Sequence, residues 1–196
     1  MIKDLRIIFM GTPDFAVGTL KALIENNFNI AGVVTAPDKP AGRGRKLNSS
    51  AVKKYAIEQG LPVLQPSSLK APEFIEALKA LQGNLQIVVA FRMLPMVVWD
   101  LPEYGTFNLH ASLLPQYRGA APIHWAIING ETQTGVTTFF IDDKSGVPYN
   151  QCLKTKSPSK KNNMQFKENY VITNGKFGNF GANLKFNISC LYMLLK

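Results

Sequence analysis

The chain has 196 residues, 46% of them hydrophobic, and its 22 Lys and Arg against 13 Asp and Glu give a net charge of +9. This hydrophobic fraction favours a packed core over disorder, and no apolar run reaches the ~18 residues that would indicate a membrane span. The excess charge lies in residues 145–196, which hold eight Lys and one acidic residue, whereas residues 1–144 have a net charge of only +2. We therefore expect one ordinary domain followed by a basic tail.

The start of the chain and its cysteines point to a cytoplasmic protein. The apolar run from Ile7 to Met10 is shorter than the roughly 7–15 apolar residues of a signal peptide. Cys152 and Cys190 have neither metal-site nor redox-pair spacing. We expect a protein of the reducing cytoplasm, with no metal site and no membrane contact.

Residues 1–144 alternate short apolar runs, which predict strands, with apolar residues at helical spacing, which predict helices. The predicted strands are residues 6–10, 30–35, 61–64, 85–90, 106–109 and 136–141. The predicted helices are residues 14–26, 49–58, 72–81 and 122–129, and residues 37–48 form a basic loop. Nearly all-apolar strands between helices are typical of an α/β fold, Rossmann-like, with a mostly parallel sheet and helices on both faces.

Polar residues at the end of the fifth predicted strand are the candidate site. In such sheets, ligands bind at the carboxyl ends of the strands. Alternation along a strand places Asn108 and His110 on one face and Leu109 on the other. An amide that stabilises an oxyanion, beside an imidazole that transfers a proton, suits acyl transfer. Taken alone, the pair is equally compatible with a binding domain that performs no reaction.

The surrounding residues make the pattern specific. Residues 108–115, Asn-Leu-His-Ala-Ser-Leu-Leu-Pro, resemble the Asn-x-His-x-Ser-Leu-Leu-Pro signature of folate-dependent formyltransferases, and residues 116–122, Gln-Tyr-Arg-Gly-Ala-Ala-Pro, resemble its version in methionyl-tRNA formyltransferases. Residues 10–16 are similar to the opening of those enzymes, and residues 35–47 to their inserted loop against the tRNA acceptor arm. The resemblance covers residues 1–144 and implies the fold of the family's N-terminal catalytic domain, incomplete here.

The resemblance also implies roles for individual residues. Asn108 and His110 match the family's catalytic Asn and His. The stretch that contacts tetrahydrofolate corresponds to Ser112, Leu113, Leu114 and Pro115. The loop residues implied to contact tRNA are Arg43, Arg45 and Lys46, whose charges suit phosphates.

The implied reaction transfers a formyl group from 10-formyltetrahydrofolate to the α-amino group of methionine on initiator tRNA. A free α-amino group has a pKa of about 7.7–8.0, so its deprotonation is a modest demand near neutral pH. The implied partners are initiator methionyl-tRNA and folate. The resemblance implies no metal, and we expect a monomer.

The family pattern breaks at two places. In the loop of residues 89–95, which corresponds to a loop bordering the pterin, Phe91-Arg92 replaces a more usual aromatic-Gly pair. After the sixth strand, Gly146 falls where the family has an aspartate, and Asp142 and Asp143 come three or four residues early. We expect residues 145–196 to be a poorly ordered, non-family tail that leaves the last strand unpaired at its edge, with the family's C-terminal β-barrel domain absent. A reading-frame change, a degenerate gene copy and natural divergence all account for such a tail.

Three enzymatic interpretations stay open. The first is an active tRNA formyltransferase, and the second is a catalytically impaired fragment that retains folate or tRNA binding. The missing aspartate separates these two. The third is a formyltransferase for a sugar-nucleotide amine, because residues 117–119 and 129–132 also fit that group. The basic loop of residues 40–47 favours tRNA over a sugar.

Overall fold

The computed structural model describes residues 4–41, 46–141 and 169–173. The strands in these ranges are β1 (Arg6–Gly11), β2 (Asn29–Val34), β3 (Lys39–Ala41), β4 (Lys46–Asn48), β5 (Val63–Leu64), β6 (Leu85–Val89), β7 (Thr106–His110), β8 (Gln133–Ile141) and β9 (Asn169–Thr173). The helices are α1 (Asp14–Glu25), α2 (Ala51–Glu58), α3 (Pro72–Ala80), α4 (Met96–Trp99) and α5 (Pro122–Ile128). Every strand and helix predicted from the sequence is present, whereas the short helix α4 was not predicted. The basic loop contains the antiparallel hairpin β3–β4.

Seven strands form one sheet in the order β5-β2-β1-β6-β7-β8-β9. The first five run parallel, β8 is antiparallel to β7, and β9 is antiparallel to β8. The chain moves outward from β1 through β2 to β5 and then returns to place β6 on the other side of β1. This reversal opens a crevice at the carboxyl ends of β1 and β6, where ligands bind in α/β sheets. The predicted Rossmann-like, mostly parallel sheet is confirmed.

Helices cover both faces of the sheet, as predicted. One core cluster joins strand residues such as Phe9 and Leu109 to the buried faces of α1 and α2, including Leu20 and Val52. A second cluster lies on the opposite face and joins strand residues to α3 and α4, among them Met10, Val88, Leu78 and Trp99. Each fully buried large apolar side chain contributes roughly 1.5–3 kcal/mol relative to exposure. Both faces of the central strands are therefore mainly apolar, and the polar residues of the candidate site lie where the strands end.

The start of α2 is fixed by its cap. Ser50 precedes the helix, and its hydroxyl accepts a hydrogen bond from the Lys53 backbone N–H at 3.0 Å. The same hydroxyl lies 2.7 Å from the Thr35 hydroxyl, just beyond β2. The cap thus ties the helix to the carboxyl end of β2. Serine is among the residues preferred at this position, because its hydroxyl can accept from a backbone N–H of the first helical turn.

The expectation of an unpaired sheet edge is wrong for part of β8. Asn169–Thr173 form β9, which pairs with residues 133–137 of β8. Its sequence, Asn-Tyr-Val-Ile-Thr, is rich in the β-branched and aromatic residues that favour strands. Strand pairing satisfies the edge N–H and C=O groups that would otherwise be exposed. The rest of the tail, Asp142, Asp143 and Gly146 lie outside the described residues.

None of the helices in the described part of the chain has the length and apolarity needed to cross a membrane.

Gly11 ends β1 at a point where α1 approaches the sheet closely. A Cβ atom on this residue would lie 2.7 Å from the Ala16 Cβ and 3.1 Å from the Val89 carbonyl oxygen. Neither neighbour can rotate away, so we expect Gly11→Ala to lower the free energy of unfolding by about 1–3 kcal/mol. Urea denaturation measures this. Gly32→Ala is the matched control, because the three atoms nearest to its Cβ would all belong to the flexible Leu81 side chain, the nearest at 2.7 Å. A cost for Gly11→Ala no larger than that for Gly32→Ala would contradict the prediction.

Candidate active site

Asn108 and His110 project from the same face of β7. Leu109 packs in the core cluster under α1 and α2, whereas Val88, the in-register partner of Asn108 on β6, packs under α3 and α4. In-register neighbours share a face, so Asn108 and His110 point away from Leu109. Asn108 is half-buried, and His110 is only 9% exposed. The predicted juxtaposition is present at the carboxyl end of the strand.

The two side chains differ in their partners. The Nε2 atom of His110 lies 3.2 Å from the Tyr117 carbonyl oxygen. Because a carbonyl can only accept, Nε2 must donate, and the neutral ring then keeps a lone pair on Nδ1. The Asn108 amide has no hydrogen-bond partner among residues 4–41, 46–141 and 169–173. The His110 ring is therefore oriented by a hydrogen bond, whereas the Asn108 amide has its N–H donors available.

The surroundings of His110 favour the neutral ring. Burial lowers the pKa of His110 below its ordinary value of 6.5, and the nearby positive charge of Arg118 lowers it further. The Tyr117 carbonyl acts in the opposite direction, but the net shift is downward. The imidazole is consequently unprotonated near neutral pH and can accept a proton.

The loop after β7 is held against β8 by Thr137, a residue that the sequence analysis did not single out. The Thr137 hydroxyl donates to the Ser112 carbonyl at 2.8 Å and accepts from the Leu114 N–H at 3.0 Å. Thr137 is 1% exposed and lies opposite His110 in the β7–β8 register. The sequence signal was only a threonine in an apolar strand, because the partners lie more than 20 residues away.

The residues predicted to contact folate occupy this loop at different depths. The Ser112 side chain is fully buried, and its hydroxyl donates to the Gln116 carbonyl at 2.7 Å. Leu114 is also buried, whereas Leu113 is half-buried and Pro115 is exposed. Ser112 and Leu114 therefore shape the loop, and Leu113 and Pro115 form its accessible surface.

Three of the five non-glycine residues with a left-handed backbone in the described ranges lie at the same edge of the sheet. Ala90 directly follows β6 with a φ of 47°, and Tyr117 and Ala121, in the loop between β7 and α5, have φ values of 52° and 54°. A non-glycine residue in this left-handed region costs roughly 1–2 kcal/mol. Such strain persists only where surrounding contacts hold it, and it is frequent at ligand-binding sites.

The loop of residues 90–95 is linked to its neighbour by Arg92. Its guanidinium donates to the Ser67 carbonyl at 3.0 Å and to the Pro66 carbonyl, and it lies 5.6 Å from the centre of the Phe91 ring. Arg92 therefore connects the loop after β6 to the segment between β5 and α3.

The β3–β4 hairpin is anchored at its base. The Asp38 carboxylate, immediately before β3, accepts from the Lys53 ammonium on α2 at 2.5 Å and from the Gln65 amide at 2.9 Å. The Asp38 and Lys53 side chains are only 24% and 21% exposed, and the hydrogen bond from Lys53 is the main reason that the pKa of Asp38 is lowered. Arg43 and Arg45 lie outside the described residues. Lys46 begins β4, opposite Ala41, and its side chain also lies outside them.

In the parts of the chain that the structure describes, no cluster of three His, Cys, Asp or Glu side chains is arranged to hold a metal ion.

Removal of the Arg118 charge should raise the pKa of His110, because the imidazolium would no longer be repelled by a neighbouring cation. We expect Arg118→Gln to move the pKa upward but to keep it below 6.5, since burial, the larger cause, remains. Titration of the histidine ring protons by NMR measures both histidines, and exposed His124 serves as an internal reference. Lys79→Gln on α3 is the control. An unchanged or lower pKa of His110 in Arg118→Gln would contradict the prediction.

Comparison with known proteins places this chain in a family. Residues 5–146 match the family model described as formyl transferase. The chain is 69% identical over 143 residues to the methionyl-tRNA formyltransferase of Flavobacterium johnsoniae, an alignment that covers 73% of this chain and 45% of the relative. It is 66% identical over 139 residues to the methionyl-tRNA formyltransferase of Bacteroides thetaiotaomicron, which covers 71% and 43%. The chain thus spans less than half the length of these curated relatives.

A solved structure has the same fold. The phosphoribosylglycinamide formyltransferase of Streptococcus pneumoniae superposes with a TM-score of 0.63 over 96% of this chain and 94% of that chain, at 18% identity. At that identity the likeness concerns the fold alone. The family model, in contrast, matches most of the chain and therefore shows the family as well as the fold. This chain belongs to the formyl transferase family.

Proposed function

We propose that this protein transfers a formyl group from 10-formyltetrahydrofolate to the α-amino group of methionine on initiator tRNA. The observation that carries the proposal is the pairing of Asn108 and His110 on one face of β7, at the carboxyl edge of the sheet. The close relatives named methionyl-tRNA formyltransferase support this acceptor over a sugar-nucleotide amine.

The chemistry follows from the states of the two side chains. The neutral α-amino nitrogen attacks the formyl carbon, a C–N bond forms, and the carbonyl oxygen becomes an oxyanion. The Asn108 amide, which has no partner among the described residues, donates to this oxyanion. Nδ1 of His110 accepts the proton that the attacking nitrogen loses. The oxyanion then re-forms the carbonyl as the bond to the folate nitrogen breaks, and that nitrogen leaves with the proton that the His110 imidazolium returns.

The folate donor is proposed to lie against the loop after β7. In this proposal, Leu113 and Pro115 contact the ligand directly because they form the accessible surface, and Ser112 and Leu114 hold the loop in shape. The loop of residues 90–95 borders the same crevice. The proposed steps use groups of the two substrates, Asn108 and His110, and invoke no resident metal.

The tRNA acceptor is proposed to contact Arg43, Arg45 and Lys46 on the hairpin. The anchored base of the hairpin supports this, because Asp38 ties it to α2 and to the segment after β5. Folate and initiator methionyl-tRNA are the proposed partners of a monomeric, cytoplasmic protein. The match to the family model ends at residue 146, and we propose that residues 145–196 are a non-family tail.

Asn108→Ala should reduce the rate of formyl transfer by about 10²–10³, the usual cost of removing one oxyanion donor. The assay uses charged initiator tRNA and 10-formyltetrahydrofolate and follows formylmethionyl-tRNA. Asn26→Ala is the matched control, because Asn26 is exposed and its side-chain amide bonds only within its own helix end. Transfer by Asn108→Ala at the rate of the unsubstituted chain would contradict the assigned role. Binding of folate or tRNA without transfer by the unsubstituted chain would favour the impaired-fragment interpretation instead.

Replacement of the three hairpin cations by Gln should weaken tRNA binding and flatten its dependence on salt. Each phosphate contact that is lost reduces the number of counterions released on binding. We therefore expect the negative slope of log affinity against log salt to become shallower by roughly 2–3. Binding is measured at several salt concentrations. The control is a second triple variant, which removes three exposed cations from helices elsewhere: Lys21→Gln on α1, Lys54→Gln on α2 and Lys79→Gln on α3. Equal losses of slope in the two triple variants would contradict a specific role for the hairpin.

A further inference from the structure

The residues just after α5 contact the loop that carries the candidate folate site. The Tyr117 phenol donates a hydrogen bond to the Glu131 carboxylate and accepts one from the Asn129 side-chain amide at 3.1 Å. The hydrogen bond to Glu131 is also the main reason that the pKa of Tyr117 is raised. The function proposed above gives no role to Asn129 or Glu131.

The other end of Tyr117 contacts the candidate catalytic histidine. Its carbonyl oxygen accepts the Nε2–H of His110 at 3.2 Å, although its φ of 52° lies in the unfavourable left-handed region. A residue in that region needs contacts that hold it there. In the described part of the chain, the side-chain hydrogen bonds available for this are the two that the phenol makes.

The preceding residues of the loop are held in a different way. The hydroxyl of Ser112 bonds to the Gln116 carbonyl, and the Thr137 hydroxyl bonds to the backbone of Ser112 and Leu114. These contacts end at Gln116, one residue before Tyr117. The position of the Tyr117 carbonyl therefore depends on contacts made by Tyr117 itself.

We propose that Glu131, together with Asn129, is a positioning residue for His110. The two side chains hold the phenol of Tyr117, the Tyr117 carbonyl holds the imidazole through Nε2–H, and Nδ1 is left as the proton acceptor. Glu131 lies 21 residues after His110 in the chain and acts on it only through Tyr117. The inference rests on the proposed function for its catalytic meaning, but the geometry of His110 can be measured in the free protein.

The test is an NMR measurement of the His110 ring in a His124→Gln background, which leaves a single histidine in the chain. A ring N–H that is hydrogen-bonded exchanges slowly with solvent and gives an observable proton signal. We expect this signal in the parent and in Glu131→Gln, which keeps an acceptor for the Tyr117 hydroxyl. We expect at least severalfold faster exchange, or loss of the signal, in Glu131→Ala and in Tyr117→Phe.

Titration of the same ring gives a second readout. The Tyr117 carbonyl raises the pKa of His110, so its displacement in Glu131→Ala should lower that pKa further. Among the described residues, Arg118 is the cation that lowers the pKa of His110, and it is present in every variant. Glu131→Gln removes the same charge as Glu131→Ala but keeps the acceptor, so a difference between them reports position rather than charge.

The controls separate positioning from general stability. Glu103→Ala removes another exposed carboxylate and should leave the exchange and the pKa of His110 unchanged. Unaltered exchange and pKa in Glu131→Ala would overturn the inference, as would equal effects of Glu131→Ala and Glu131→Gln. Because these signals are read without substrate, an absence of formyl transfer would count against the proposed function and not against this inference.

Discussion

The two hydrogen bonds of the Thr137 hydroxyl hold the loop after β7 against the neighbouring strand, and the geometry of the candidate site depends on them. They join a buried side chain of β8 to the backbone of Ser112 and Leu114. A buried polar group left without its partner costs about 1–3 kcal/mol, so the loop cannot lift from the sheet without a penalty. The antiparallel direction of β8 is part of this arrangement, because it places Thr137 opposite His110.

With the loop held in place, the site combines an oriented base with an available donor. Burial and a neighbouring cation keep His110 neutral, and a backbone carbonyl selects which ring nitrogen carries the proton. Asn108 lies two residues away on the same face, and its amide has no partner in the described ranges. The proposed acyl transfer would use both states, because a neutral imidazole can accept a proton and an amide with available donors can stabilise negative charge.

The elements around the site are joined by polar contacts between loops. Asp38 links the hairpin to α2 and to the segment after β5, and Arg92 links the loop after β6 to that same segment. The long side chain of Arg92 makes this link, because its guanidinium reaches backbone carbonyls of the neighbouring segment. The carboxyl edge of the sheet is therefore bounded by loops that are tied to one another.

The sequence alone was sufficient for the features that depend on local spacing. Apolar periodicity predicted the main strands and helices, and the two-residue period of a strand placed Asn108 and His110 on one face. The tertiary structure decided the contacts between residues that lie far apart in the chain. Examples are the pairing of Asn169–Thr173 with β8, the ion pair of Asp38 with Lys53, and the hydrogen bonds that connect Glu131 through Tyr117 to His110. These contacts could not be predicted from the sequence, because the periodicity of a segment indicates only which face a side chain lies on. The partner of that side chain depends on how separate segments pack together.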